Sequence, residues 1–524
     1  MHLHHSLSAH GADLSSVRLA PGPTQTEGGS RSLRVCEPRV RLHCSGCRRG
    51  SWGGGSVSEE FEVGIIGAGP GGYAAALRAA QRGARVLLVE REQVGGTCLN
   101  WGCIPTKALL ATAELGEKIQ QAAEFGLRLT GSVEFDWAAM QARQRGLVQR
   151  LRRGVEYLLR ARGVTLLRGQ GQLGGPHEIA VTTDTGEERF PVRSLILAPG
   201  SQPLRPPLPG VQTEGVFTSR DLLQLDTLPD RLVVLGAGPV GMEFAHLFQT
   251  LGVAVTVLEM LPRILPAEDE TIVAELTRLF RRRGMKLFTA VSVQRIRAGA
   301  HGLVVHYTQK GEEREVEAEV VLLAVGRQAN IENLGLEEVG VRVKQGQIAV
   351  DEHLRTNVPH IYAVGDVLRG AGDAHTALAE GLAAAENALG ARVKVDYCSL
   401  PNCIFTHPPI ARVGLTEAQA RAQGYAVQVG TFLYRNSGQA LALNEGEGLV
   451  KVVRDAQTDH LLGVHILGAQ APSLIGEAVL ALRLGATGKL LARTVHAHPT
   501  LPEVFAEAVL DSLGLALHQV GSRP

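Results

Sequence analysis

Two cysteines five residues apart, Cys98 and Cys103, have the spacing in this chain that most directly suggests redox chemistry. In a regular α-helix their Cα atoms would lie about 8–9 Å apart, whereas disulfides rarely span more than about 7 Å. A bridge between them therefore needs an irregular first turn, which Gly102 permits, and strain makes a disulfide easier to reduce. The alternative is a pair of ordinary buried cysteines in a soluble enzyme.

A histidine near the C terminus, His498, is a candidate base for such a pair. Glu503 follows it by five residues, and Pro499 and Pro502 stiffen the segment between them. A carboxylate fixes the tautomer of an imidazole and stabilises imidazolium, which can deprotonate a thiol and hold a thiolate. His496 is the competing candidate, but no acid follows it at the matching spacing.

Two copies of one strand–turn–helix–strand pattern would position these groups. The first copy covers residues 62–90 with the turn Gly67-Ala-Gly69-Pro-Gly71-Gly72, and the second covers residues 231–259 with the turn Gly236-Ala-Gly238-Pro-Val-Gly241. Each turn begins 23 residues before an acid (67 to 90, 236 to 259), and the copies are offset by 169 residues (67 to 236). Such turns let a backbone approach a diphosphate at a helix N-terminus, and the acid can bind ribose hydroxyls. Two dinucleotides in one chain suggest an electron relay, and the first unit directly precedes the cysteines, which favours the redox interpretation.

Composition excludes several other classes of protein. The 524 residues suggest three or four domains. The chain has 53 Lys and Arg against 52 Asp and Glu, so its charge does not imply nucleic acid or an acidic membrane as a partner. No apolar run reaches the roughly 18 residues of a transmembrane helix. Seven cysteines are too few for a disulfide scaffold in a chain of this length.

The N-terminal segment, residues 1–59, differs from the rest. Its first 58 residues hold seven arginines, no lysine and three acids. We predict a disordered or misassigned extension, with Val57 as an alternative translation start; a transit peptide also fits the composition. Cys44 and Cys47 have no second cysteine pair to complete a zinc site, and no metal site is predicted.

Two motifs carry a resemblance to a known family: CLNWGCIPTK at 98–107 and HAHPTLPE at 496–503. Over about residues 60–515 the chain resembles the flavin-dependent pyridine nucleotide-disulfide oxidoreductases, and within them the dihydrolipoamide dehydrogenases. The resemblance implies that Cys98 is the interchange thiol, Cys103 the charge-transfer thiol, His498 the base and Glu503 its partner. Four positions depart from the usual pattern without removing a reacting group: Pro199, Ala329, Pro409 and Pro502.

The resemblance also implies the cofactors and the fold. FAD is expected at Gly67, Gly69, Gly71, Glu90, Lys107 and Asp366, and NAD at Gly236, Gly238, Gly241, Glu259 and Gly326. Glu243 is expected to pair with Lys107 beside the flavin, and Gly171, Gly200, Ser201 and His375 are further cofactor-binding candidates. The fold class is α/β, with two Rossmann-like dinucleotide-binding domains and a C-terminal α+β dimerisation domain. The expected divisions are 60–200 and 328–400 for FAD, 201–327 for NAD and 401–524 for dimerisation.

The implied function is oxidation of dihydrolipoamide to lipoamide, with NAD⁺ reduced to NADH. Two alternatives stay open: an NAD(P)H-dependent reductase of a low-molecular-weight disulfide, and a non-catalytic flavoprotein of an assembly. The expected partners are a dihydrolipoyl group on an acyltransferase or carrier protein and a second copy of the chain. A 2-oxoacid dehydrogenase or glycine-cleavage complex would be the host. We expect no nucleic-acid or membrane partner, and a cytoplasmic location, with an organelle as the alternative.

Overall fold

A computed structural model of the chain describes residues 60–370 and 372–520, so the predictions for residues 1–59 lie outside the described part. The first glycine-rich turn follows the central strand of a parallel five-stranded sheet. Its strands are, in spatial order, Thr165–Arg168, Val86–Glu90, Phe61–Ile66, Gly186–Leu197 and Ile361–Ala363. The helices of this first unit are Pro70–Gln81, Gly96–Trp101, Cys103–Gln120, Trp137–Ala161 and Ala374–Ala388.

The first sheet carries an antiparallel extension. The early part of strand Gly186–Leu197 pairs with Glu178–Thr183, which pairs with Gln170–Gly175. The late part of the same strand lies in the parallel sheet, where residues 195–197 are fully buried. Strands of a parallel sheet are covered on both faces, which explains why the central segments read as continuous apolar runs.

The second unit repeats this architecture. Its parallel sheet has the strand order Lys286–Phe288, Ala254–Leu258, Arg231–Leu235, Val320–Leu323, Val216–Thr218. An antiparallel sheet follows, formed by Val291–Gly299, Gly302–Gln309 and Glu312–Ala318. Its helices are Ser219–Leu222, Pro239–Thr250 and Glu270–Arg282, and the short antiparallel pair Ser201–Pro203 and Arg327–Ala329 connects this unit to the first.

The C-terminal unit is built on an antiparallel sheet. Its strands are, in spatial order, Asn402–Ile404, Ile410–Gly414, Leu461–Leu467, Leu449–Asp455 and Val427–Leu433. Its helices are Glu417–Ala422, Gly438–Ala442, Ala471–Arg483, Gly488–Leu491 and Glu503–Ser512. The predicted fold class, two Rossmann-like units and a C-terminal α+β unit, is confirmed.

Shorter elements complete the described part. They are the helix Leu336–Val339, the strand pair Val343–Lys344 and Gln347–Ile348, and the 3₁₀ turns Ala122–Phe125, Gly365–Leu368, Tyr397–Ser399 and Tyr434–Asn436. None of the helices in residues 60–370 and 372–520 has the length and apolar character to cross a bilayer.

Candidate active site

One cleft of about 1080 Å³ connects the two glycine-rich turns and the cysteine pair. Its walls include the predicted site residues Gly67, Gly69, Gly71, Glu90, Cys98, Cys103, Lys107, Gly200, Ser201, Gly236, Gly238, Glu243, Glu259, Gly326 and Asp366. Five predicted residues do not line it: Gly171, Gly241, His375, His498 and Glu503. The structure therefore brings together the two nucleotide-binding patterns and the cysteine pair, and leaves the predicted base of the same chain outside.

The first glycine of each turn is required by the protein's own backbone. Gly67 and Gly236 have φ of 98° and 99°, in the left-handed region that favours glycine. A Cβ at Gly67 would lie 2.2 Å from the carbonyl oxygen of Ala198, and one at Gly236 would lie 2.4 Å from that of Ala324. Both contacts are far below van der Waals distance, so no other residue fits.

The third glycine of each turn lets the helix approach the strand. A Cβ at Gly241 would lie 2.0 Å from the carbonyl oxygen of Gly236, and one at Gly72 would lie 1.8 Å from that of Gly67. Gly72 is thus the equivalent of Gly241, and the sequence prediction did not include it. Gly71 does line the cleft. A Cβ at Gly71 would lie close to the Val364 side chain and to the backbone of the helix Ala374–Ala388. The 169-residue offset would have identified Gly72.

The second glycine of each turn faces the cleft instead of the protein. A Cβ at Gly238 would meet nothing within 4 Å, and one at Gly69 would meet only the Cα of Gly96 at 3.9 Å. The helices Pro70–Gln81 and Pro239–Thr250 begin at these glycines, and no side chain caps either one. Uncapped N–H groups beside open space suit a diphosphate. The residues present therefore fit a dinucleotide at each turn.

The two acids that end the second strands hold the turns in place. Glu90 accepts hydrogen bonds from the amides of Ala68 (2.7 Å) and Glu92 (2.8 Å). Glu259 accepts the equivalent bonds from Ala237 (2.5 Å) and Leu261 (2.7 Å). Burial raises the pKa of Glu90 above its usual value. Because a carboxylate offers about four lone pairs, each acid can still accept a ribose hydroxyl.

The redox segment is irregular at the position that the cysteine spacing requires. Cys98 lies in the helix Gly96–Trp101 and Cys103 begins the helix Cys103–Gln120. Gly102 separates the two helices with φ −145° and ψ −109°, which is not helical. Both cysteines are free thiols, and their side chains are hydrogen-bonded to each other.

The two thiols are electrostatically unequal. The hydrogen bond from Cys98 lowers the pKa of Cys103 despite its burial, and Lys107 lowers it further. The same hydrogen bond, together with burial, raises the pKa of Cys98. The arrangement therefore favours a thiolate at Cys103 beside a protonated Cys98, which is the charge distribution expected of a charge-transfer thiol and an interchange thiol.

A partly buried ion pair lies next to the redox pair. Lys107 Nζ lies 2.7 Å and 2.9 Å from the carboxylate oxygens of Glu243, which also accepts the amide of Phe405 at 2.9 Å. The ammonium group sits 4.5 Å from the centre of the Phe405 ring. Lys107 follows Cys103 by one helical turn and Glu243 belongs to the second unit, so the pair links both units at the cleft.

Arg327, which the sequence prediction did not include, completes the wall of the cleft near Asp366. Ser201 donates a hydrogen bond to Asp366, and Arg327 donates to Ser201 Oγ at 2.7 Å and to its carbonyl oxygen at 2.8 Å. Burial raises the pKa of Asp366 and lowers that of Arg327. The only sequence signal for Arg327 was that it directly follows the predicted Gly326.

Gly171 and His375 occupy supporting positions. Gly171 lies in strand Gln170–Gly175, where a Cβ would lie 3.0 Å from the Val89 side chain. The ring of His375 lies 2.6 Å from the carbonyl oxygen of Pro401, through Nε2. Their roles toward a cofactor stay predictions. Within the described ranges no group of three or more His, Cys, Asp or Glu could hold a metal ion.

His498 and Glu503 form the predicted pair. His498 Nδ1 lies 2.8 Å from Glu503 Oε1, and the Thr500 amide donates to the other carboxylate oxygen at 2.7 Å. Partial burial acts to raise the pKa of Glu503, but the Thr500 amide and the imidazole outweigh it and lower this pKa. The His498 side chain is 80% exposed.

The competing candidate, His496, also has a carboxylate. Its Nε2 lies 2.8 Å from Glu477, which precedes it by 19 residues, and only 10% of its side chain is exposed. A buried imidazole is poorly placed to receive a proton from another molecule. Exposure therefore favours His498 as the base.

Comparison with known proteins identifies the relatives of this chain. A family model described as pyridine nucleotide-disulphide oxidoreductase matches residues 61–381, and the model of that family's dimerisation domain matches residues 400–509. A dihydrolipoyl dehydrogenase from Rhizobium etli is 40% identical over 482 residues, which cover 88% of this chain and 100% of the relative. One from Thermus scotoductus is 44% identical over 464 residues, covering 87% and 98%.

Solved structures agree with this assignment of the fold. LpdA from Mycobacterium tuberculosis superposes with a TM-score of 0.80 at 28% identity, covering 86% of this chain and 99% of that structure. The HOCl-induced flavoprotein disulfide reductase RclA from Escherichia coli, in its Cu(II) complex, gives a TM-score of 0.78 at 29% identity, with the same coverage.

Proposed function

Since the chain belongs to the pyridine nucleotide-disulphide oxidoreductase family, we propose that Cys98, Cys103, His498 and Glu503 perform its reaction. The chain is an oxidoreductase that uses FAD and NAD⁺ to oxidise dihydrolipoyl groups, as its relatives over most of its length indicate. The observation that supports the residue assignment is the hydrogen-bonded cysteine pair with opposite pKa shifts in a cleft between two dinucleotide turns.

The first step transfers a proton and exchanges a disulfide. Glu503 holds the Nδ1–H of His498, so Nε2 is free to accept the proton of a dihydrolipoyl thiol. The resulting thiolate attacks the Cys98 sulfur, which forms a mixed disulfide and breaks the Cys98–Cys103 bond. Cys103 leaves as a thiolate, stabilised by Lys107.

The second step closes the substrate disulfide. The remaining dihydrolipoyl thiol attacks the substrate sulfur of the mixed disulfide and expels Cys98. Two protons leave the substrate: one stays on His498 and the other ends on Cys98. The cysteines gain the two electrons, so the product state is a Cys98 thiol beside a Cys103 thiolate, matching the pKa directions of the free pair.

FAD, when bound, would take up that electron pair, and NAD⁺ would accept it as hydride. Gly69, Glu90 and Asp366 would hold FAD at the first turn, and Gly238 and Glu259 would hold NAD⁺ at the second. Lys107 and Glu243 would hold charge beside the redox pair.

The protein forms a homodimer through its C-terminal dimerisation domain. We propose that each active site combines Cys98 and Cys103 of one chain with His498 and Glu503 of the partner subunit. Two observations support this: His498 is exposed, and it does not line the cleft of its own chain. A twofold pair would create two such sites by symmetry.

Subunit complementation tests the composite site. Chains with Cys98→Ser and chains with His498→Gln, each inactive alone, are mixed under conditions that exchange subunits. In a mixed dimer one composite site carries both defects and the other carries neither, so activity should return to at most half per heterodimer. Mixed dimers without activity would refute the composite site.

Steady-state kinetics test the reaction and its direction. We expect dihydrolipoamide and NAD⁺ to be turned over with a kcat/KM at least about a hundredfold above that of NADPH with glutathione disulfide, a difference of ~2.7 kcal/mol. The opposite ranking would instead favour the alternative of a reductase of low-molecular-weight disulfides. A protein that turns over neither pair would support the non-catalytic alternative.

The finer assignments are also proposals. We propose residues 60–200 and 328–400 for FAD, 201–327 for NAD and 401–524 for dimerisation, because the largest sheet of each unit lies within these limits. We propose the cytoplasm as the compartment, because free thiols such as the exposed Cys398 persist in a reducing environment. The dihydrolipoyl group would be carried by an acyltransferase or carrier protein, within a 2-oxoacid dehydrogenase or glycine-cleavage complex. Co-purification of such a protein with this chain would test that proposal.

A further inference from the structure

Arg220 belongs to the second dinucleotide unit, but its guanidinium lies against the redox segment of the first. It follows strand Val216–Thr218, in the short helix Ser219–Leu222. The guanidinium carbon lies 3.9 Å from the centre of the Trp101 ring. Its Nη2 donates to Glu92 Oε2 at 2.8 Å, and its Nη1 reaches the other oxygen at 3.5 Å. All three side chains line the cleft.

Trp101 lies at the irregular turn between the two cysteines. It is the last residue of the helix that carries Cys98, and the next residue, Gly102, leaves the helical conformation. Cys103 follows two residues later. A side chain that fixes the Trp101 ring therefore fixes the end of the first helix at the irregular turn that brings the two sulfur atoms together.

Glu92 connects the same cluster to the first glycine-rich turn. Its amide donates to Glu90, which also accepts the Ala68 amide. Arg220 thus contacts one residue at the start of the segment that leads to the cysteines and one residue near its end. The guanidinium suits both contacts because it is planar: its face stacks on an aromatic ring while its edge binds a carboxylate in a fork. Lysine offers a point charge without a flat face.

We propose that Arg220 is a positioning residue for the Cys98–Cys103 pair, which it holds through Trp101 and Glu92. The proposal rests on the proposed function of the two cysteines. Through Arg220 the second unit would help to position the reacting cysteines of the first unit, in addition to binding its own nucleotide. Displacements of reacting groups by about 1 Å can cost up to a hundredfold in rate.

The test uses the FAD-loaded protein with Arg220→Met and Arg220→Lys. We expect both variants to lower kcat with dihydrolipoamide by roughly tenfold while KM for NAD⁺ changes less than about twofold. A second readout needs no turnover: the pH dependence of Cys103 alkylation by iodoacetamide in the prereduced protein. Its inflection should move to higher pH, because a displaced Cys98 no longer stabilises the Cys103 thiolate. Wild-type inflections in both variants would overturn the proposal.

A double-mutant cycle separates positioning from general destabilisation. If Arg220 acts through Trp101, the effects of Arg220→Met and Trp101→Leu on kcat should be strongly non-additive. Additive effects would refute that route. Glu92→Gln keeps the stacked ring and replaces only the carboxylate, so it should give a smaller shift in the same direction, and it provides a second variant if Arg220→Met fails to fold.

Arg205→Met is the matched control. Arg205 precedes the short helix that carries Arg220 and lies 3.4 Å from Asp221, a residue of that helix. Arg205 does not line the cleft. It should leave the alkylation inflection unchanged, and an equal shift would point to the helix as a whole. Alkylation is measured without substrate. A wild-type protein that fails to oxidise dihydrolipoamide would therefore refute the proposed function and leave the positioning test intact.

Discussion

The two dinucleotide-binding units hold their turns with equivalent hydrogen bonds. The amide of Gly67 donates to Val89 at 2.8 Å, and that of Gly236 donates to Leu258 at 2.9 Å. The chain after each acid folds back in the same way: Gly95 donates to Ala68 at 2.8 Å, and Leu265 donates to Ala237 at 2.9 Å. The nucleotide-holding scaffold is therefore common to both units.

The units differ in the helix that follows the acid at the end of the second strand. In the second unit it is one regular helix, Glu270–Arg282, whose first turn is capped by the Asp269 side chain at 3.0 Å. In the first unit the corresponding segment breaks at Gly102 and places a thiol on each side of the break. The comparison indicates that binding resides in the shared scaffold, whereas the chemistry depends on one irregular turn in one unit.

The largest expected effect comes from the feature that the second unit lacks. Cys103→Ser should lower kcat with dihydrolipoamide and NAD⁺ by about 10³-fold or more, because no disulfide can form. Cys403→Ser is the matched control: Cys403 lines the same cleft, but burial raises its pKa to about 11, which keeps it a protonated thiol. Its activity should stay within about twofold of wild type. Similar losses in both variants would contradict the assignment.

The third glycines should behave alike in the two units. Gly72→Ala and Gly241→Ala each force a methyl group to within 1.8–2.0 Å of a carbonyl oxygen. We expect each to cost about 2–4 kcal/mol of stability, seen as a lower urea midpoint. An unchanged midpoint in either variant would mean that the close approach of helix and strand is not required.

The second glycines should separate the units by ligand. Gly69→Ala and Gly238→Ala place a methyl group in open space, so both proteins should fold with urea midpoints near that of wild type. Gly69→Ala should reduce FAD content measured by absorbance, and Gly238→Ala should keep FAD but raise KM for NAD⁺ by about tenfold, or ~1.4 kcal/mol. Loss of FAD from Gly238→Ala would reverse the assignment of the two units.

Nucleotide choice should depend on the acid of the second unit. An extra 2′-phosphate would meet the buried carboxylate of Glu259, so we expect kcat/KM for NAD⁺ to exceed that for NADP⁺ by at least about tenfold, ~1.4 kcal/mol. The nearby Arg263 already donates to the Pro266 carbonyl at 2.8 Å. Glu259→Arg should narrow or reverse the preference. Equal wild-type values for the two nucleotides would sink this prediction.

The smallest expected effect concerns the ion pair beside Cys103. The charge of Lys107 lowers the pKa of Cys103, and that of Glu243 raises it. Lys107→Met should therefore move the inflection of Cys103 alkylation to higher pH, and Glu243→Gln should move it to lower pH. Lys118→Met, at the far end of the same helix, is the control and should change nothing. Shifts of the same sign in the first two variants would contradict the electrostatic explanation.

Much of the fold was predictable because the decisive signals are local. The repeated spacing from glycine to acid identified both units, and the structure has strands at Phe61–Ile66 and Arg231–Leu235 where apolar runs precede each turn. The need for an irregular turn at Gly102 followed from the reach of a disulfide compared with the rise of a helix.

The remaining features depend on contacts between residues far apart in sequence. Glu477 pairs with His496 across 19 residues, a separation too long for a local sequence pattern to indicate. Arg220 stacks on Trp101 across 119 positions, and no local pattern marks either residue as a partner.

Two neighbouring strands of the first sheet lie far apart in the sequence, and this separation has a consequence during synthesis on the ribosome. Strand Gly186–Leu197 pairs on its outer side with Ile361–Ala363, which begins 164 residues after it ends (197 to 361), beyond the whole second unit. At roughly 5–20 residues per second, the neighbour emerges about 8–30 s later. Until then the fully buried residues 195–197 belong to an uncovered sheet edge, which is a template for aggregation. The nascent chain should therefore need chaperone protection most while the second unit is being translated, and ribosome-bound chains stalled near residue 330 should be the most sensitive to protease.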